Sequence, residues 1–260
     1  MWTVINAPAD SNLSGYIHPV ISNEVAAVRV PHFYTEEELR LIVSNIYRRG
    51  ISWYPNYENK QGVVGISAAD YKGMQGGKNE YFRLAHQYNN ERQRMFSPAL
   101  DPLQKLTRLF SERYSVAVAK EAGSNYFMGL IRAMNQKSTL HFDYAPKHME
   151  GWSVSRIDHQ LGTVIYLHMP ASGGALTVYN KPWDPEDEAY NLNTEENRFR
   201  GFDPDFLAGR ALVSLRPDPG DLILFHTRNF HQVGEIDSAT PRLTCNSFLG
   251  VRGTELLFWN

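Results

Sequence analysis

The stretch "PDPGDLILFHTRNFHQVGEIDSATPRLTCNSFLG", Pro217 to Gly250, decides the fold. A Pro/Gly turn opens it, and three short apolar runs follow, separated by polar or Pro-containing breaks. Runs this short, bounded by turn residues and without a helical period, are strands. The same texture begins at Tyr126, in "NYFMGLIRAM", "STLHFDY", "GTVIYLHMP", "GGALTVYN" and "ALVSLRP", and it ends in "TELLFWN". Many short strands with no helical pattern between them imply an antiparallel sandwich or barrel of the jelly-roll type. One long polar interruption, residues 181–209, reads as a surface insertion over a site mouth.

The first half is helical. In "YTEEELRLIVSNIYRRG", Thr35 is placed to cap a helix, with Glu38 three residues on, acids in the first turn, Arg48 and Arg49 in the last and Gly50 as the stop. Leu39, Ile42, Val43 and Ile46 form its apolar stripe. The periodicity predicts a second helix from Pro102 to Arg113 and a shorter one from Asn79 to His86. Between them, the Gly-rich residues 55–80 read as irregular, a wall or lid of a pocket. The expectation is a single α+β domain, residues 1–260: a double-stranded β-helix (jelly-roll) core over 121–260 and an N-terminal helical layer over 1–120.

A net charge of -2 and no long basic cluster give no electrostatic reason to expect nucleic acid or an anionic membrane as partner. A small-molecule substrate is expected instead. The single cysteine, Cys245, excludes an intrachain disulfide and reads as a core thiol in a reducing, cytoplasmic protein. No window approaches the roughly 18 apolar residues of a membrane span, and the first residues lack the pattern of a signal peptide.

Within "STLHFDY", His141 and Asp143 stand two apart in an apolar, aromatic run. On a strand they share one face, while Leu140, Phe142 and Tyr144 take the other. A non-haem Fe(II) site uses two histidines and one carboxylate in this way, leaving positions open for a co-substrate and dioxygen. With nine histidines in the chain, a chance H-x-D arises in roughly one of every two or three such sequences, so a second feature is needed. The opening stretch supplies it. His226 ends one strand, His231 begins the next, and Arg242 follows His231 by eleven residues. Either histidine fits as the third ligand, and a hydrogen-bonded His/Asp core pair is the bland alternative.

This order resembles the Fe(II)/2-oxoglutarate-dependent oxygenases. In that family the distal metal histidine begins the strand after a "G-D-x-x-x-F" strand, and a basic residue on the following strand holds the far carboxylate of 2-oxoglutarate. "GGALTVY" is similar to the family's "G-G-x-L" strand. The resemblance implies His141, Asp143 and His231 as the catalytic metal ligands, with His226 exposed or behind them. It implies Arg242 as the carboxylate clamp, and Thr244, on the same face, as the hydroxyl of an "R-x-S" pair. A planar bidentate donor suits a dicarboxylate better than lysine does. Arg132, on "LIRAM", is a further candidate for the co-substrate, and Asn246 for the substrate. His148, Trp152 and Arg156 follow the first ligands closely enough to line a substrate mouth. The implied cofactors are Fe(II), 2-oxoglutarate as co-substrate, and O2.

The runs "GTVIYLHMPASGGALTVYNKPWDP", "GDLILFHTRNFHQV" and "TELLFWN" resemble, more narrowly, the small-molecule halogenases that act on hapalindole and welwitindolinone alkaloids. Those enzymes carry glycine in place of the metal carboxylate, which opens a position for chloride; here Asp143 fills it. The implied outcome is hydroxylation of an aliphatic C–H in an amino-acid-derived or natural-product small molecule, with release of succinate and CO2. Desaturation, cyclisation and epimerisation use the same cofactors, and a peptidyl hydroxylase is a further variant. A non-catalytic jelly-roll binding protein would release no succinate.

Overall fold

The computed structural model describes residues 2–55, 61–194 and 200–260, so parts of the expected lid (56–60) and of the insertion (195–199) lie outside the described residues. Its main sheet is organised around one long strand, Arg242–Arg252. Along one edge this strand pairs antiparallel with His159–His168. Its other edge is shared: Leu130–Met134 pairs with Arg242–Asn246, and Glu255–Trp259 pairs with Phe248–Arg252. Beyond His159–His168 lie Leu222–His226, Ala27–Val30 and Val4–Asn6; beyond Leu130–Met134 lie Gln61–Val64 and Ser52–Trp53. A smaller, separate sheet is formed by Leu212–Leu215, Leu176–Pro182 and Asn229–Val233. The first 120 residues are therefore not only helical support, since four of these strands come from them.

Alternation along Arg242–Arg252 separates core from site. Leu243, Cys245 and Leu249 point into one apolar cluster with Ile42, Ile46, Phe96, Leu106 and Phe110 of the helices. Arg242, Thr244 and Asn246 belong to the opposite face. The helix Glu36–Arg49 starts as its sequence requires, with both hydrogen bonds of the Thr35/Glu38 capping box formed, an arrangement worth about 1 kcal/mol. Cys245 is free and buried, and burial pushes its thiol up to about 12.

Three elements differ from expectation. The helix over Asn79–His86 extends from Gly77 to Leu100, with Ser97, the residue before Pro98, leaving helical geometry at φ 57°. The next helix, Pro102–Phe110, ends three residues early. Within residues 55–80, expected to be irregular, Gln61–Val64 is a strand.

Of the two places expected for His226, exposed or behind the ligands, the first is excluded: it is buried, and neither ring nitrogen has a hydrogen-bond partner. Burial, helped by His159 and Arg228, pushes it down to about 3. Unfolded chains take up this proton below the ordinary value near 6.5, whereas the native protein resists until about 3. Stability present at higher pH is therefore lost progressively as the pH falls from about 6.5 to about 3. Between about pH 8 and pH 5 the loss is about 2 kcal/mol. His226→Leu is expected to flatten the pH dependence of urea unfolding by that amount; equal pH dependence in the two proteins would contradict it.

Candidate active site

The ligand segment is not a regular strand. His141 and His231 form a single antiparallel bridge, with His141 N–H donating to the His231 carbonyl at 3.0 Å and the reverse bond at 2.8 Å. The Asp143 N–H leaves for the Thr227 carbonyl at 2.8 Å. Leu140 and Phe142 are drawn into a separate cluster with Trp183, Phe202, Leu207 and Phe230, and Phe142 stacks on Trp183 at 4.7 Å. This anchoring replaces strand pairing as the force that points His141 and Asp143 the same way.

His141 Nε2 lies 3.9 Å from Asp143 Oδ2, and His231 Nε2 lies 3.5 Å from the same oxygen. The Nδ1–H of His141 donates to the Thr139 carbonyl and that of His231 to the Asn229 carbonyl, both at 2.8 Å. Carbonyls only accept, so each ring must carry its proton on Nδ1, and in the neutral form the Nε2 lone pair faces Asp143. Three lone-pair-bearing atoms, all within 4.8 Å of one another, then converge with no proton required between them. Such a set can hold a metal ion.

The protonation states agree. Burial and the neighbouring His231 push His141 down to about 4, with Arg132 adding to the effect, so it is neutral near pH 7. Burial alone would push the Asp143 carboxyl up, but its contact with His231 and the neighbouring imidazoles outweigh this and hold it well below the usual carboxylate range. His231 is almost covered, at 6% side-chain exposure, whereas His141 and Asp143 keep 38% and 35% open to a cavity. Part of the three-residue cluster therefore faces free space.

That cavity measures about 570 Å³, and Arg132, Arg242 and Asn246 line it together with His141, Asp143 and His231. Arg242 is 4% exposed. Among the described residues its guanidinium meets Met134 Sδ at 3.8 Å and Tyr166, at the hydroxyl at 3.1 Å and over the ring at 4.8 Å, and its Nε–H has no partner. Among the described residues no carboxylate pairs with it. Thr244 Oγ1 and Asn246 Oδ1, on the same strand face, are also buried without partners. A buried cation beside orphaned polar atoms is costly unless an anion enters, so the site fits the far carboxylate of 2-oxoglutarate.

The expected substrate residues divide. Asn246 lines the cavity. His148 lies against Phe142 at 4.7 Å and borders a second cavity of about 290 Å³ that also touches Asp143. Trp152 does not line either cavity: it is buried among Tyr81, Phe82 and Tyr126, with ring centroids 5.5 to 6.1 Å away. Arg156, exposed at the end of the short helical turn Ser153–Arg156, lines neither. Sequence reading missed Gln61, Gln136 and Asn193, which line the larger cavity. They carry no motif, and Gln61 reaches the site only because its strand pairs with Leu130–Met134. Asn193 and Gly201 bring the 181–209 insertion to the cavity, as expected.

The family model for the carrier-protein-independent halogenase WelO5 matches residues 2–257. Leucinostatins biosynthesis cluster protein S of Purpureocillium lilacinum is 29% identical over 214 residues, covering 76% of this chain and 85% of that protein. The L-gamma-glutamyl-L-propargylglycine hydroxylase of Streptantibioticus cattleyicolor is 25% identical over 244 residues, covering 91% and 88%. Among solved structures, an N-substituted L-amino acid dioxygenase from Burkholderia ambifaria shares the fold, with a TM-score of 0.65, 16% identity and coverage of 95% and 91%. Match and geometry together place the chain in the WelO5 family, as an Fe(II)- and 2-oxoglutarate-dependent non-haem iron enzyme that uses O2.

Proposed function

We propose that the protein hydroxylates an aliphatic C–H of an amino-acid-derived or natural-product small molecule, releasing succinate and CO2. The observation that carries this reading is Asp143, whose carboxylate oxygen sits 3.5 Å from one histidine and 3.9 Å from the other, in the place where the family's halogenases keep a position for chloride. The hydroxylase and the amino acid dioxygenase among its relatives are in keeping with it.

With 2-oxoglutarate and dioxygen, Fe(II) supplies the oxidising power for breaking the C–H bond. His141, Asp143 and His231 are proposed to hold the metal on one side, so that its remaining positions face the cavity. Arg242 and Thr244 grip the far carboxylate of 2-oxoglutarate, which sets the reach of its other end toward the ligands. The Phe142–Trp183 stack fixes the strap carrying His141 and Asp143. Turnover with Fe(II), 2-oxoglutarate and a substrate is expected to yield succinate in step with a product heavier by one oxygen atom, in chloride buffer as in its absence. A chlorinated product, or succinate with an unsaturated or isomerised product, would overturn hydroxylation and leave the cofactor chemistry standing.

Arg242→Gln is expected to raise the 2-oxoglutarate dissociation constant roughly 30-fold to 1,000-fold, as loss of one side of a buried charge-assisted pair costs about 2–4 kcal/mol. The same substitution removes an uncompensated buried cation, so thermal unfolding without co-substrate should not fall. Unchanged 2-oxoglutarate affinity by calorimetry would put the clamp elsewhere.

A further inference from the structure

We propose that the substrate is itself a carboxylate, and that Arg132 is the residue that binds its anionic group. This rests on the oxygenase reading above. Arg132 is half-buried on the strand Leu130–Met134 and lines the cavity that holds the three ligands. Its register partner is Thr244, while Arg242 pairs with Met134. The two arginines are therefore diagonal neighbours on one sheet face, roughly 7 Å apart at Cβ. Neither has a carboxylate partner among the described residues.

Among the described side chains, the cavity offers more basic than acidic groups. Among the described residues Asp143 is the only acidic side chain lining it, and Lys137, the third basic one, is taken by Glu235 at 2.6 Å. The main-chain oxygen of Asn260 is occupied by the Ala68 N–H and the Tyr81 hydroxyl. Both ends of 2-oxoglutarate are already engaged, one at the metal and one at Arg242, so the unmatched cation is Arg132. A neutral or cationic substrate would leave it facing a partly dry cavity with no counter-ion, whereas a substrate carboxylate would pair with it in a charge-assisted, bidentate contact. Gln61, in the next strand, and Gln136 are neutral donors on the same wall. Arg132 thereby anchors one end of the substrate and selects the acid over its uncharged analogues.

The test uses protein loaded with Mn(II), which does not turn over, and saturated with 2-oxoglutarate. Hexanoate, phenylacetate and N-acetyl-leucine are each titrated calorimetrically against their primary amides. At least one acid is expected to bind about tenfold or more tightly than its amide, the preference vanishing in Arg132→Gln while 2-oxoglutarate affinity stays within about twofold of wild type. Arg132→Lys should recover part of the preference. Equal binding of acids and amides, or no acid binding below about 10 mM, overturns the proposal. So does a fall in 2-oxoglutarate affinity in Arg132→Gln as large as that in Arg242→Gln, which would assign Arg132 to the co-substrate. Failure of wild-type protein to bind 2-oxoglutarate at all would instead overturn the oxygenase reading.

Discussion

Replacing His231 by alanine is expected to weaken Fe(II) binding by a factor of roughly several hundred and to remove turnover, while the protein stays folded. A four-ligand zinc site is worth about 10–16 kcal/mol, so one ligand contributes about 3–4 kcal/mol, or two to three decades of affinity. The ring is not replaceable by a neighbour. His226 lies on the strand before, buried and without a hydrogen-bond partner, and does not line the cavity. The bonds that seat residue 231 are main-chain bonds to His141 and to the Leu176–Pro182 strand, and alanine keeps them. The structural cost is the lost packing of the imidazole against Phe225, whose ring lies 5.0 Å away. Fe(II) binding measured beside far-ultraviolet circular dichroism separates the two effects. Wild-type affinity in a folded His231→Ala protein would remove His231 from the ligand set.

Asp143→Gly is expected to reduce hydroxylation at least about 100-fold and to let an added halide change the metal site. As the proposed ligand, the carboxylate would balance one of the metal's charges and fill one coordination position, so glycine would leave the centre more positive and more open. Main-chain contacts at this residue survive the change, since its N–H donates to the Thr227 carbonyl and its carbonyl accepts from Thr227 Oγ1 at 2.9 Å. The variant should therefore keep its fold and part of its metal affinity. Product masses with and without chloride, read beside succinate, check this. Hydroxylation at the wild-type rate would mean that Asp143 is not a ligand.

Elements with a strong local code are legible in the amino-acid sequence alone. The Glu36–Arg49 helix carries cap, stripe and stop in its own residues, and the strands from Leu130 onward are marked by the turn residues between them. The spacing of His141, Asp143, His231 and Arg242 survives into one cavity because three separate chain segments return to the same wall. Features governed by distant contacts are not legible. Trp152 reads as a pocket residue by its closeness in sequence to Asp143, yet Tyr81 and Phe82, seventy residues earlier, claim it for the core. The strand expected across "STLHFDY" shrinks to one bridge because Phe142 finds Trp183 and Phe202. The long helix Gly77–Leu100 is rich in Asn, Gln and Arg, so its buried side is too thin for a clear period. Arg132 stands out in sequence as a co-substrate candidate, but its pairing beside Thr244, with no acid partner among the described residues, is set by the sheet.

The most direct test of the central claim is an anaerobic titration of the metal-free protein with Fe(II) and 2-oxoglutarate, followed in the visible region. A weak charge-transfer band of the iron chelate is expected to appear and saturate in the wild type. It should persist in His226→Leu and be lost in His231→Ala. Absence of the band in folded wild-type protein, or its persistence in His231→Ala, would contradict the assignment of His141, Asp143 and His231 as the iron site.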